Sequence, residues 1–353
     1  MKKLAAPRHN IMHTRIRIST RPDQLREGLF GQVFLWVFEI LPYLDRQGIF
    51  PAWAIRSPLY GDGEDTVVIP GLLEPSYDTA AEHYQEVNLL DLRERQTVNL
   101  GNDWVYLSAL WNKYFRWPER IRRRANDFPS LDRALGIHYR GTDKNRALEE
   151  TNYVSPDDFL ALVRDFVATH PDIDTIFVAS DENDFAGRVQ SQHPSLRIVY
   201  SGPVTHHKSS LAGSAREKGD HALLDCWMLS RCRYLLKCQS ALSGFAKILN
   251  PQLEAYRVSA NKLAHWSWGI PYFPDAYLPK LTSENAACRE ILTQLLAGDW
   301  TEDPLARGRY GGTFQYKTRK RYIRKMGNTS LWSMDGLHQR IDSRLDRIAR
   351  VFL

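Results

Sequence analysis

The chain has 353 residues, with 47 Lys and Arg against 41 Asp and Glu, 43% apolar residues and 25% charged residues. That length supports about two domains with cores that need no disulfide or metal staple. The net charge of +6 is uneven: the segment from Thr301 onward carries +7, with 12 Lys and Arg against 5 Asp and Glu, which excludes a uniformly basic nucleic-acid binder.

No stretch approaches 18 uninterrupted apolar residues, so no transmembrane helix is expected. Met1 to Arg21 is basic but lacks an apolar centre, which argues against a secretory signal. Cys226, Cys232, Cys238 and Cys288 fit no common zinc spacing. They read as buried, reduced thiols of a cytoplasmic protein.

In chain order, residues 25–47 predict a helix apolar on nearly every side and therefore deeply buried. Its start holds Gly28-Leu29-Phe30-Gly31-Gln32, where glycines let backbone approach a ligand and a helix N-terminus attracts anions; a helix tolerating two glycines explains the same residues. Short strands are expected at Ile49–Ile55 and Val67–Leu73, separated by a solvent-facing Gly61–Asp65 loop. Trp104 to Arg124 predicts one helix ending in a basic cluster. Its Trp111, Tyr114, Phe115 and Trp117 either pack in the core or stack on a sugar. Asn126 to Pro129 marks a boundary.

The second half is more regular. Leu135–Arg140, Thr175–Ala179, Leu196–Tyr200 and Tyr234–Lys237 predict strands. They alternate with helices at 156–169, 184–190, 220–232 and 242–249. Such alternation implies a parallel, doubly wound α/β domain.

Within it, Gly136-Ile137-His138-Tyr139-Arg140-Gly141-Thr142-Asp143-Lys144 carries the most chemistry. Side chains alternate along a strand, so His138 and Arg140 share a face, and the polar turn follows at the carboxyl end. Ligands of open parallel sheets bind outside those ends. An imidazole, a guanidinium and an ammonium there suit a phosphate or diphosphate. The competing reading pairs Arg140 with a sheet-edge carboxylate and leaves His138 a hydrogen-bonded core residue. Asp181-Glu182 ends the next strand, where Ser180 or Asp181 is expected to cap the following helix or to lie near a bound sugar.

The nine-residue string resembles the His-x-Arg-Arg-Thr-Asp-Lys motif of the α-1,6-fucosyltransferases and nodulation fucosyltransferases. The similarity extends through Ile176-Phe177-Val178-Ala179-Ser180-Asp181-Glu182, Leu224-Asp225-Cys226-Trp227-Met228-Leu229-Ser230 and Gln239-Ser240-Ala241-Leu242-Ser243, in order, over residues 134–250. The resemblance implies an α/β, GT-B-like architecture of two Rossmann-like domains with a cleft between them and a helical C-terminal extension. The corresponding division is 1–128 on the acceptor side, 129–275 binding the GDP-sugar, and a basic 276–353.

It also implies an inverting, metal-independent enzyme that moves fucose from GDP-fucose to a sugar hydroxyl of an oligosaccharide or glycolipid, with no cofactor. Arg140, Asp143 and Lys144 would serve catalysis, and Arg140 with Ser240 would hold the β-phosphate. His138 and Asp225 would read guanine. Gly31, Gln32, Asp181 and Ser243 complete the donor site. Asp225 makes physical sense because a carboxylate in an apolar helix needs a partner; guanine's adjacent N–H donors supply one, and Arg231 or Arg233 would be another.

Two departures stand out. The family's second Arg is Gly141 here, and the position of its carboxylate base is Leu148, with Glu149 and Glu150 just beyond as candidates alongside Asp181. Competing functions are a glycosyltransferase for another nucleotide sugar, a non-catalytic nucleotide- or glycan-binding protein, and an RNA-binding protein acting through the tail. Lys317, Arg319, Lys320, Arg321, Arg324 and Lys325 form either a solvated face or a contact for an acidic glycan or an anionic membrane surface, which would place the protein at the inner membrane.

Overall fold

The computed structural model describes residues 14–21, 24–25, 28–61, 66–96, 104–141, 154–182, 184–202, 214–238, 240–258 and 280–281. The expected Gly61–Asp65 loop beyond Gly61, the basic tail and Cys288 lie outside the described residues.

The chain is α/β, with two largely parallel sheets. The first is built from β1 (Thr14–Ser19), β2 (Ala52–Arg56), β3 (Val67–Ile69) and β5 (His83–Asn88), in the order β3-β2-β1-β5. Only the β2–β3 pair is antiparallel. In β1 a period-two pattern, Thr-Arg-Ile-Arg-Ile-Ser, puts Ile18 in the core with no exposed surface, while Arg17 on the other face pairs with Glu86. Two-residue strands β4 (Glu74–Pro75) and β6 (Phe115–Arg116) pair with each other.

Between β1 and β2 the chain makes a π-helical turn, Leu29–Phe34, that runs directly into α1 (Leu35–Arg46). The expected all-round burial holds, including Glu39, a fully buried carboxylate on α1. Arg93 of α2 (Leu89–Gln96) reaches it through Nε and Nη2.

The single helix expected from Trp104 to Arg124 is broken into α3 (Trp104–Tyr114) and α4 (Glu119–Asn126). Pro118 is the cause: proline disfavours helical backbone in the residue before it and suits the start of a new helix. Trp111, Tyr114, Phe115 and Trp117 are all core residues, at most 4% exposed, so the aromatic cluster packs the interior. The basic run beside it is paired, Arg116 with Glu74, Arg120 with Asp220, and Arg122 and Arg123 with Glu119.

The second sheet holds β7 (Ala134–Tyr139), β8 (Thr175–Ser180), β9 (Arg197–Tyr200), β10 (Tyr234–Lys237), β11 (Glu254–Val258) and β12 (Lys280–Leu281). All are parallel, in the order β12-β11-β10-β7-β8-β9. The first three strands therefore run one way from β7 and the last three the other way, which makes the β7/β10 junction a topological switch point. β7 and β10 are buried at every position, as central parallel strands require.

The helices are α5 (Pro156–Thr169), α6 (Phe185–Gln192), α7 (Ala215–Arg231) and α8 (Ala241–Leu249). α5 starts as expected, with the Ser155 hydroxyl accepting from the Asp158 N–H and proline at the first position. α7 begins five residues earlier than expected, because Ser214 and Glu217 form a reciprocal capping box.

One apolar cluster joins the π-helical turn, α1 and α3 to α7 and α8. At its centre the Phe245 ring of α8 lies 4.6 Å from Trp111, 5.6 Å from Phe30, 5.9 Å from Phe34 and 6.1 Å from Phe38, between ring centroids. Phe245→Ala should cost about 3–5 kcal/mol, as for other buried aromatic truncations. Urea denaturation monitored by circular dichroism would show the lowered midpoint; an unchanged midpoint would contradict the packing described.

Candidate functional site

The site grows from the carboxyl ends of β7, β8 and β10. β7 delivers His138 and then Arg140, as the alternation predicts. His138 is 7% exposed. Its Nδ1 lies 2.7 Å from Ser243 Oγ on the first turn of α8. Ser243 Oγ donates in turn to the Ser240 carbonyl at 3.4 Å. The contact ties the imidazole to the start of α8 whichever ring nitrogen carries the proton.

His138 stays neutral across the ordinary range. Burial, with the charges of Lys237 and Arg140 next, pushes its pKa down to about 3. Lys237 is the last residue of β10, fully buried and in register with His138. The sequence pattern conceals it, because Tyr-Leu-Leu-Lys reads as an apolar strand reaching its polar end.

Arg140 faces Asp181, with Nε 3.8 Å from Oδ2, and the Gly141 N–H donates to Asp181 Oδ1 at 2.9 Å. The carboxylate after β8 thus clasps the end of β7. This corrects the capping expectation. α6 is N-capped by Asp184 without a side-chain bond, and the Ser180 hydroxyl takes the Glu182 N–H instead. The competing sequence reading matches these contacts: Arg140 pairs with a strand-end carboxylate and His138 is a buried, hydrogen-bonded residue, both at the switch point of the sheet.

Ser240 is the N-cap residue of α8 but makes no side-chain cap bond. Gly31, in the π-helical turn, comes up against the start of α8, where a Cβ on it would stand 3.8 Å from Ala241 Cβ. The glycine turn expected from sequence and the Ser240–Ser243 turn are thereby brought together, and Gln32 follows Gly31 on the same turn. π-helical turns of this kind often accompany functional sites.

Asp225 lies on α7, partly exposed, and accepts a hydrogen bond from the Ser201 hydroxyl just past β9. Neither Arg231 nor Arg233 is its partner: Arg233 pairs with Asp172 and lies over the Tyr234 ring. Burial raises the Asp225 pKa to about 7, against the opposing pull of Ser201 and Arg124. The adjacent Cys226 thiol donates to the Leu242 carbonyl at 3.4 Å, tying this part of α7 to the start of α8. Cys226, Cys232 and Cys238 are buried free thiols whose pKa values burial pushes up, so they are inert packing groups. Asp143, Lys144, Glu149 and Glu150 lie outside the described residues.

The glycine at position 141, where a second arginine was expected, has a steric reason. A Cβ there would fall 1.9 Å from Glu182 Oε1 and 2.9 Å from Tyr139 Cε1. The carboxylate end of the Glu182 side chain fills the space beside Gly141.

No protein-family model and no curated protein sequence matches the chain. Solved structures do resemble it in fold. One is the NodZ α-1,6-fucosyltransferase soaked with GDP-fucose, 18% identical, with a TM-score of 0.42 over 69% of this chain and 95% of that one. The same enzyme from Bradyrhizobium, in selenomethionine form, gives 17% and 0.43 over 69% and 94%. A third is POFUT1 in complex with GDP, 10% identical, with a TM-score of 0.41 over 68% and 98%.

Two titrations at this site oppose each other. His138 has a folded pKa below its unfolded value, so its share of stability is present above about pH 6.5 and is lost as pH falls from there toward 3. Asp225 has a folded pKa above its unfolded value of 3.8, so its share is lost as pH rises from there toward about 7. His138→Asn should remove the first slope, up to about 1.4 kcal/mol per pH unit. Urea midpoints at pH 4.5 and 7.5 should then show the variant gaining on the wild type at the acid pH; a constant difference at both values would rule out a neutral buried His138.

Proposed function

We propose that the protein is a glycosyltransferase that moves fucose from GDP-fucose to a sugar hydroxyl of an oligosaccharide or glycolipid. The observation that carries this reading is the meeting of Arg140, His138 and the Ser240–Ser243 turn at the switch point of a parallel sheet. That is where parallel-sheet proteins bind nucleotides. The ordered motifs over residues 134–250 add the resemblance to fucosyltransferases, and Asp225 on α7 supplies the choice of base.

In this mechanism the diphosphate oxygens develop negative charge as the bond from the sugar C1 breaks. Arg140 is set to meet that charge, together with the N–H groups at the start of α8. Lys144, four residues further along the sequence, would add a second cation. Asp181 orients Arg140 rather than competing for the proton of the acceptor, because Arg140 and the Gly141 N–H already engage its two oxygens. Lys237, buried beside His138, adds positive potential at the same strand ends. His138 offers a neutral imidazole, and ionised Asp225 offers two acceptors to the N–H edge of guanine.

The division at about residue 128 puts the donor on the second sheet, with the acceptor entering from the side of the first. Contact with an anionic membrane surface belongs to the basic tail, a part of this proposal independent of the donor site.

Two measurements test the reading. In a thermal-shift panel of nucleoside diphosphates, GDP should stabilise the protein most, and Asp225→Asn should abolish the preference. GDP binding should also weaken below about pH 7 as Asp225 takes up its proton. Equal shifts with every base would remove guanine recognition.

In the second, Arg140→Ala should lower transfer from GDP-fucose roughly 100–1,000-fold, with the circular dichroism spectrum unchanged. Wild-type turnover by that variant would refute the role of Arg140. Activity should persist in EDTA, and its loss with recovery on adding manganese would point to metal-dependent transfer.

A further inference from the structure

Glu182 is the functional group at this site that the motifs do not account for. Its carboxylate sits in the notch left by Gly141, with Oε1 1.9 Å from where a Cβ on that glycine would be. It is partly exposed, and among the described residues its side chain is neither hydrogen-bonded nor ion-paired. Asp181, one residue earlier, is engaged on both oxygens by Arg140 and the Gly141 N–H. Two adjacent carboxylates at one strand end therefore have different states: one is a bound counter-ion, the other has its lone pairs open. Burial raises the Glu182 pKa, Asp181 and Asp184 raise it further, and Arg188 on α6 opposes them.

We propose that Glu182 is the general base that accepts the proton of the attacking hydroxyl. The proposal rests on the glycosyl-transfer reading above and adds to it a residue that the sequence motifs place elsewhere. In the step, the hydroxyl oxygen forms a bond to the sugar C1 and its proton passes to a Glu182 oxygen. The bond from C1 to the β-phosphate oxygen breaks, and its electron pair leaves with GDP. Arg140 follows β7, and Asp181, its partner, begins the turn after β8 that carries Glu182, so the leaving diphosphate and the incoming hydroxyl are served from the ends of two adjoining strands. An open carboxylate with a raised pKa is a stronger base than a salt-bridged one. The charged groups facing it are Asp181 in its own turn, Asp184 at the N-cap of α6 and Arg188 on α6.

The test uses the full-length protein and follows GDP release from GDP-fucose, with water as acceptor and with any oligosaccharide that accelerates release. Glu182→Gln keeps the shape and removes the base. It should lower kcat about 100-fold or more. Its GDP affinity should stay within about threefold and its melting temperature should hold, since no described hydrogen bond or ion pair is lost.

In the wild type, kcat should fall toward acid pH through a value above the ordinary carboxylate range. That limb should vanish in Glu182→Gln and persist, at lower kcat, in Glu182→Asp. Retention of kcat by Glu182→Gln, with loss instead in Glu149→Gln or Glu150→Gln, would overturn the assignment. So would a Glu182→Gln defect confined to GDP affinity or to folding. A wild-type protein that releases no GDP from GDP-fucose would overturn the transfer reading itself, and the base with it.

Discussion

The packing of Phe245 is the constraint on which the candidate site depends. This ring lies on α8, one helical turn past Ser240, and is surrounded by Phe30, Phe34, Phe38 and Trp111 from the first part of the chain. Because side chains in a close-packed interior have little room to shift, the aromatic cluster fixes the position of α8. That position in turn sets Ser243 Oγ within hydrogen-bonding distance of His138 and puts Gly31 against Ala241. The geometry of the strand-end site is thus determined by residues that make no chemistry. Disturbing the aromatic contacts would move the Ser240–Ser243 turn away from β7 before it unfolded the sheet.

A second consequence concerns charge. Lys237 and Arg140 approach one buried imidazole, and the sheet keeps His138 neutral rather than turning it into a third cation. Burying a charge without a partner is expensive, so the imidazole gives up its proton instead. A neutral ring is a recognition group, not an acid, and this separates its role from that of Arg140, whose guanidinium stays charged. Asp225 shows the converse case. Partial enclosure raises its pKa to the edge of neutrality, where a ligand that donates two N–H bonds would return it to the ionised form.

Much of this was legible in the sequence. Period-two alternation placed His138 and Arg140 on one face of a strand, and the strand–helix alternation gave the parallel sheet whose order creates the switch point. Ser155-Pro156 marked the start of α5 to the residue. Other features were hidden for identifiable reasons. The Pro118 break was obscured because Tyr114, Phe115 and Trp117 carry the apolar pattern up to the proline and Ile121 resumes it at helical spacing beyond. The Ser214–Glu217 capping box was readable as a Ser-x-x-Glu signal, but the polar first turn of α7 masked it. β1 was lost in a basic N-terminal segment although Ile16 and Ile18 alternate with arginines. The Arg140–Asp181 clasp joins residues 41 positions apart, and no local pattern encodes that distance.

The fucosyltransferase motif that this segment resembles has a second arginine where the chain has Gly141. An arginine there would add a positive charge at the strand end and would compete with Glu182 for the space it fills. With glycine, the site loses a cation and gains a carboxylate, a change of two charge units at one place. In the glycosyl-transfer reading such an exchange works only if the remaining cations suffice for the leaving group. Arg140, with the N–H groups at the start of α8, carries that task in this reading. In that reading two tasks are separated along the ends of adjoining strands: Arg140 after β7 would meet departing charge, and Glu182 after β8 would take an arriving proton.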